Sequence, residues 1–325
     1  MRASQTLPLL LALCAACADP AAEVDLGETT AAIGACPPLI CGNSPHLGAY
    51  PFWELDETGT KASTNGLRIL GATHGGVPQK IDVVDFKWLR QPGLGGPQPI
   101  SGTVIKVGTP DASLTYELTV TSAPNLHYYE GGDDGTVIPA YWVSYVAVQN
   151  GRRRPPVDLC GKDEGSSLPR PVLVFQGDRY SAQTGAIVET GAAAGPWFNV
   201  ACKDDALWKL ALMRYVEAAR TAVFDSGPDE RTAALRSIRA DYCGDGTPMT
   251  ELGTAIDWMN DLGWLTKDSD GLPEAIWGPD GAVCLGETRI PDLEVPCAAE
   301  LPPCEDLLDG WPALGSMLTL VPEGP

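Results

Sequence analysis

The residues of this chain best suited to chemistry surround a short glycine-rich stretch. Asp241 and Asp245 lie within it, and Asp257 follows downstream. Carboxylates beside such a loop can act as general acids or bases, or as ligands for Ca²⁺. The calcium-loop pattern D-x-[DN]-x-[DN]-G is absent, and residues 267–271 begin like one but fail at Leu272. Because Asp and Gly are common in turns for local reasons, we expect capping and turn roles for these aspartates.

Other catalytic chemistries find little support. The chain has no G-x-S-x-G and no H-E-x-x-H, and its three histidines, His46, His74 and His127, are scattered. The remaining enzymatic alternative is a carbohydrate- or peptide-directed hydrolase, which needs two carboxylates and aromatic platforms. With 42 acidic residues and nine tryptophans, accidental pairs are plentiful. The sequence therefore predicts no catalytic residue, no cofactor and no metal site.

The ten cysteines suggest export rather than metal binding. Cys14 lies in the N-terminal segment and Cys17 at its end. The eight that remain are Cys36, Cys41, Cys160, Cys202, Cys243, Cys284, Cys297 and Cys304. An even number in an exported chain predicts disulfides, and spacing alone leaves their pairing open. Cys36 with Cys41, and Cys297 with Cys304, are close enough in sequence to form local bridges.

The N-terminus has the pattern of an export signal. Arg2 precedes an apolar run over residues 7–16, and small residues lead to Cys17. This predicts a secretory signal over residues 1–17 rather than a membrane span. Cys17 stands where a bacterial lipobox has its lipidated cysteine, so we expect an outer-membrane or cell-surface lipoprotein. An A-x-A site ending at Ala18 leaves a periplasmic or secreted soluble protein as the alternative.

The charge balance limits the classes of partner. The formal net charge is −20, which argues against electrostatic binding of nucleic acid or of an anionic membrane surface. The basic cluster Arg152–Arg154 is bracketed by glycine and prolines, so we interpret it as a solvated turn tip. The membrane contact expected is the lipid anchor alone, and the ligand would be an envelope protein or a glycan.

The first half of the mature chain reads as a tether followed by strands. Residues 18–60 are rich in Ala, Pro and acids and predict an acidic tether. Residues 61–200 predict a β part, because the apolar side chains of 114–120 alternate with polar ones. Residues 103–107 pair with that strand in a predicted hairpin, and Tyr141–Val148 has the composition of a central strand. An antiparallel β-sandwich or an open barrel fits these strands.

From residue 203 to residue 292 the pattern becomes helical. Asp204 or Asp205 can cap a helix that ends at Gly227-Pro228, and a second helix opens at Pro228. Leu235, Ile238 and Tyr242 have helical spacing, which places them on one core-facing side.

Two later segments are less regular. Residues 250–262 suit a short helix, although Gly253 weakens it. Residues 293–325 are proline-rich and predict a C-terminal appendage.

One string of eight residues carries a resemblance to a known family. It consists of Arg239, Ala240, Asp241, Tyr242, Cys243, Gly244, Asp245 and Gly246. This motif resembles that of the ADYC domain, which is found mostly in myxobacterial envelope proteins. Further matches follow in 253–257, 274–277, 281–284 and 289–290, with Cys160 and Cys202 upstream. The resemblance covers roughly 160–290 and fades toward residue 66. It implies an envelope protein and does not point to a particular activity.

The resemblance also implies a disulfide arrangement. Cys160 would pair with Cys202, and Cys243 with Cys284. The family is expected to carry two further cysteines where this chain has Leu210 and Ala234. Their joint absence implies that they normally pair, so Leu210 and Ala234 should face each other between the two helices.

Together these observations predict an α+β domain over residues 61–292. An antiparallel sandwich or open barrel would be followed by a stapled helical hairpin and a short C-terminal hairpin. The expected function is that of a non-enzymatic surface or interaction module.

Overall fold

The computed structural model describes most of the chain after its first 44 residues. The described residues are 45–93, 95–129, 136–163, 165–181, 183–191, 195–220, 225–251, 253–263 and 271–322. Signal segment 1–17, Cys17 and the predicted Cys36–Cys41 bridge lie outside them. None of the described helices is long and apolar enough to cross a membrane.

Strands dominate the described residues. They are β1 His46–Leu47, β2 Tyr50–Pro51, β3 Glu54–Asp56, β4 Arg68–His74, β5 Val77–Val84, β6 Lys87–Gln91, β7 Gln98–Pro99, β8 Thr103–Gly108, β9 Leu114–Ser122, β10 Tyr141–Gln149, β11 Arg152–Arg153, β12 Val157–Asp158, β13 Val172–Gln176, β14 Arg179–Tyr180, β15 Ile187–Glu189, β16 Trp197–Cys202, β17 Asp257–Asn260, β18 Leu272–Gly278, β19 Gly281–Ala282 and β20 Met317–Val321. The α-helices are α1 Ala206–Leu212 and α2 Pro228–Arg239, with short 3₁₀ turns at Glu217–Ala219, Ala298–Glu300, Cys304–Asp306 and Leu308–Ala313.

One large antiparallel sheet forms most of the domain. Its strand order is β3-β16-β13-β10-β9-β8-β4-β5-β6-β7, and β11 and β12 add to β10. The predicted β8–β9 hairpin is confirmed, with Thr103 opposite Val120. The predicted central strand is also confirmed, because β10 pairs with β9 along its full length and with β11, β12 and β13 on its other side.

The sheet curls until strands from its two ends meet. The Gln176 N–H in β13 donates to the carbonyl of Asp85 beyond β5, at 3.4 Å. Trp88 of β6 packs on Tyr141 and Phe198, with ring centroids 5.9 and 5.6 Å apart. Leucines and valines from both ends therefore fill one interior, and the architecture is the open barrel of the two predicted.

The barrel also contains part of the predicted tether. Strand β3 pairs with β16, and Leu55 is buried in the barrel interior. Residues 45–60 thus belong to the folded domain, because the sheet edge at β16 offers backbone groups that β3 satisfies.

A second layer covers the outer side of β13 and β16. Helices α1 and α2 and the inner face of a small sheet pack there around Leu173, Phe175 and Trp277. Leu210 and Ala234 are both fully buried in this core. Their expected direct contact remains a prediction.

Helix α1 is shorter than the sequence predicts. Asp205 caps it, accepting the Trp208 N–H at 2.6 Å and the Cys202 N–H at 2.9 Å. The helix ends at Leu212, because Arg214 has a φ of 68° that a right-handed helix cannot continue. Apolar residues such as Val216 still reach the core, but from irregular backbone.

Helix α2 follows the prediction closely. It starts with Pro228 and has acids in its first turn, where the helix dipole favours them. Leu235, Ile238 and Tyr242 all enter the same core, as their spacing predicted.

The C-terminal part differs from the sequence-based expectations at two places. Segment 250–262, whose spacing left a short helix open, has no helix among its described residues: β17 lies there, after Gly253 at a φ of 88°. The segment 293–325 is not an appendage, because its strand β20 lies between β17 and β18 in the four-stranded sheet β17-β20-β18-β19. The ladder of β20 satisfies the backbone of both neighbours.

One carboxyl group near the barrel closure makes stability pH-dependent. The Val83 N–H donates to Glu57 Oε2 at 3.1 Å. Burial, aided by Asp82 and Asp56, raises the pKa of Glu57 to about 7. The folded state therefore holds this proton to higher pH than the unfolded state, and stability should fall between about pH 4.5 and pH 7.

We expect Glu57→Gln to remove this loss, because the amide oxygen still accepts from Val83 but cannot ionise. At pH 8 the variant should be more stable than the natural protein by about 1–3 kcal/mol. Urea unfolding at pH 5 and pH 8 measures the difference. The exposed control Glu305→Gln should keep the natural pH profile; an unchanged profile in Glu57→Gln would contradict the assignment.

Candidate functional site

The motif residues form the exit of α2. The Asp241 N–H donates to the carbonyl of Arg236 at 3.0 Å and the Ala240 N–H to that of Ser237 at 3.3 Å, the two bonds of a Schellman turn. Ala240 is in the left-handed region, with φ 52° and ψ 44°. Glycine is usual at this position, so the fully buried alanine accepts backbone strain of about 1 kcal/mol.

Asp241 closes the loop that follows. Its side chain is fully buried and pairs with Arg236 at 2.5 Å. Both carboxylate oxygens accept the Gly246 N–H at 3.1 Å. Burial raises the pKa of Asp241, and the guanidinium groups of Arg236 and Arg239 oppose that rise. The carboxyl group is thus committed to holding the turn.

The two arginines of the helix exit also bind backbone carbonyls. Arg236 donates to the carbonyl of Pro279 at 2.5 Å, and Arg239 donates to those of Gly246 and Thr184. Each side chain therefore ties α2 to a different neighbouring loop.

Tyr242 connects α2 with the small sheet. Its ring stacks on Trp277 at 5.2 Å between centroids, and its hydroxyl donates to Glu274 Oε1 at 2.5 Å. Burial and the neighbouring Glu274 carboxylate raise the pKa of Tyr242. The phenol stays protonated and serves as a donor.

Glu274 is held on its other side by Arg289. The guanidinium group donates to Glu274 Oε1 at 2.6 Å and Oε2 at 2.7 Å, and both side chains are almost fully buried. Arg289 also donates to the carbonyl of Ser237 in α2 at 2.8 Å. One network thereby joins α2, β18 and the segment around Arg289.

The glycines of the motif permit close backbone contacts. A Cβ atom on Gly244, whose φ is 69°, would lie 1.7 Å from the carbonyl oxygen of Asp280. A Cβ atom on Gly246 would lie 2.3 Å from that of Gln183. Both positions therefore require glycine.

Two further buried carboxylates have the same kind of partner. Asp178 receives a bidentate contact from Arg231 at 2.7 and 2.8 Å, with side chains 0 % and 1 % exposed. Glu54, at the barrel edge, accepts from Arg179 and from Thr64. Buried ion pairs of this kind are weak evidence for stability gain, but removing one partner is costly.

The aspartates that suggested chemistry do not form a shared site. Asp245 is exposed and accepts the Thr247 N–H at 2.8 Å, which lowers its pKa. Asp257 lies half-buried on β17. Over the described part of the chain, no group of three or more His, Cys, Asp or Glu side chains could hold a metal ion.

Three disulfides lie within the described part of the chain. Cys160 joins Cys202, as the resemblance implied. The implied Cys243–Cys284 pair and the local Cys297–Cys304 bridge are wrong: Cys243 joins Cys297, and Cys284 joins Cys304. The reason is topological. Because β20 lies between β17 and β18, the preceding residues 293–316 pass the small sheet and the motif loop, where Cys297 meets Cys243 and Cys304 meets Cys284.

The sequence analysis missed the buried ion pair of Glu274 and Arg289. Arg289 and Glu274 have no periodicity or spacing that marks them as a pair. Their signal lay in the satellite segments 274–277 and 289–290, which matched the family without a stated role.

The fold and this network define a disulfide-linked α+β domain. Its characteristic feature is the buried motif at the C-terminal end of α2. The sequence matches the ADYC domain family over residues 98–291, which is more than half of the chain, and the protein therefore belongs to that family. No curated protein and no solved structure matches it.

The network predicts a specific pattern of destabilisation. Arg289→Met should cost about 3–5 kcal/mol, because Glu274 is left buried without its cation. Adding Glu274→Gln should recover part of that loss, since a neutral amide can still accept from Tyr242. Urea unfolding of the single and double variants measures both effects.

A double variant as unstable as Arg289→Met alone would show that the lost packing, not the unpaired charge, dominates. Arg153→Met is the matched control, because Arg153 pairs with Glu117 at the surface and should change stability by about 1 kcal/mol or less.

Proposed function

We propose that this protein is an exported, lipid-anchored envelope protein whose ADYC domain is a non-enzymatic interaction module. The observation that carries the proposal is that the charged groups at the exit of α2 are already engaged. Asp241, Arg236 and Arg239 are bound to one another or to backbone within the domain. Groups engaged in this way give shape to the fold and are not available to a substrate.

Export is supported by the three disulfides, which persist in oxidising compartments. The lipid anchor rests on the sequence around Cys17, and its site is proposed to be the outer membrane or the cell surface. The ligand is proposed to be an envelope protein or a glycan.

The hydrolase alternative requires two carboxyl groups about 5–10 Å apart that flank a substrate. Four buried carboxylates have an arginine partner instead: Glu54, Asp178, Asp241 and Glu274. Two others, the buried Asp205 and the partly buried Glu57, accept backbone N–H groups. These contacts favour the binding module.

The anchor is tested by replacing Cys17. In bacteria that process lipoproteins, the natural chain should partition into the detergent phase and the membrane fraction, and Cys17→Ala should shift it to the soluble fraction. Cys14→Ala is the matched control and should leave the partitioning unchanged. Equal membrane association of all three would overturn the anchor.

The interaction function is tested with purified protein against a glycan array and against solubilised envelope proteins. Saturable binding without turnover, retained in Asp241→Asn after its fold has been verified, is the expected result. Release of reducing sugars or of peptide fragments that is lost in a carboxylate variant would establish the hydrolase instead.

A further inference from the structure

The three disulfides differ in their accessibility to solvent. Cys160 and Cys202 are 5 % and 0 % exposed, and Cys284 and Cys304 are 0 % and 1 % exposed. Cys243 and Cys297 are both partly exposed. We propose that the Cys243–Cys297 disulfide is a site of reversible thiol–disulfide exchange, and that its reduction releases segment 291–303 while the domain stays folded.

The segment has independent anchors at both of its ends. Before it, Arg289 is fixed by Glu274 and by the carbonyl of Ser237. After it, Cys304 is bonded to Cys284. Between these anchors the Cys297 bridge is the covalent tie, so its reduction frees a loop and not a chain end.

The residues next to Cys243 in the motif are held by contacts that do not involve the disulfide. Tyr242 remains stacked on Trp277 and bonded to Glu274, and its carbonyl accepts the Ala282 N–H at 2.9 Å. Asp241 remains paired with Arg236. The change on reduction is therefore confined to the side that carries Cys297.

Most backbone contacts of the segment are local. The Ala298 N–H donates to the carbonyl of Val295, and the Glu300 N–H donates to that of Cys297. An exception lies at its end, where the Leu285 N–H donates to the carbonyl of Pro302 at 3.0 Å, two residues before the Cys304 anchor. Val295 is the buried side chain of this stretch, at 8 % exposure, and Leu293 packs partly against the same core. Release would expose these two apolar side chains beside the motif and so change the surface offered to a partner.

The exchange requires an external dithiol, either a small molecule or a thiol–disulfide oxidoreductase. Its thiolate attacks Cys297 Sγ, a mixed disulfide forms, and the Sγ–Sγ bond breaks with Cys243 leaving as thiolate. The second thiol of the reductant then attacks the mixed disulfide and expels Cys297. The reductant becomes a disulfide, the protein gains two electrons, and both thiolates take protons from water.

The test is a reductant titration of the full chain under native conditions. Dithiothreitol is varied, free thiols are alkylated, and each cysteine is scored separately by peptide mass spectrometry. Cys243 and Cys297 should reach half-maximal alkylation at a concentration roughly tenfold or more below the four buried cysteines, since reaching those requires wider unfolding. Earlier or simultaneous reduction of either buried disulfide would overturn the proposal.

Hydrogen exchange tests the release. At the dithiothreitol concentration that reduces Cys243 and Cys297, amides of 291–303 should exchange faster, while those of α2 and β18 keep their natural rates. The double variant Cys243→Ser/Cys297→Ser should show the same profile without reductant. Unchanged exchange in 291–303, or faster exchange throughout the domain, would refute a local release.

Discussion

The structure depends on the pairing of charges that the fold takes out of water. An isolated buried carboxylate or guanidinium group is too costly to keep ionised, so each must meet a partner with good geometry. Arg289 and Glu274 meet this requirement between α2 and β18, and Tyr242 adds a donor to the same carboxylate. Since their partners come from distant segments, these side chains form their contacts only when the helix, the small sheet and residues around 289 are docked together.

Local features of the fold were predictable because they depend on neighbouring residues. The alternation in β9 and the turn before it specify the β8–β9 hairpin. Pro228 and the acids after it specify where α2 begins. The length of α1 was predicted wrongly for an equally local reason. The apolar spacing continues past Leu212, but Arg214 adopts a left-handed backbone conformation that spacing does not encode.

The features that were missed depend on partners far away in sequence. Strand β20 is apolar but lies in a proline-rich region, and its place between β17 and β18 is set by a ladder and not by its own residues. The cysteine pairs followed from that placement, which is why the neighbouring Cys297 and Cys304 bond to different partners. The motif itself was recognisable in the sequence, while the arginine partners that give it a structural meaning were not paired by any local rule.

The burial of the motif limits what it can do in recognition. Its arginine, alanine, aspartate and tyrosine at 239–242 are buried, so a ligand cannot touch them unless the domain opens. Asp245 is exposed, and Cys243 is partly exposed beside residues 291–303. A partner that senses this region would therefore contact Asp245 and the surface around the Cys243–Cys297 bridge, and the buried residues would act by fixing the position of that surface.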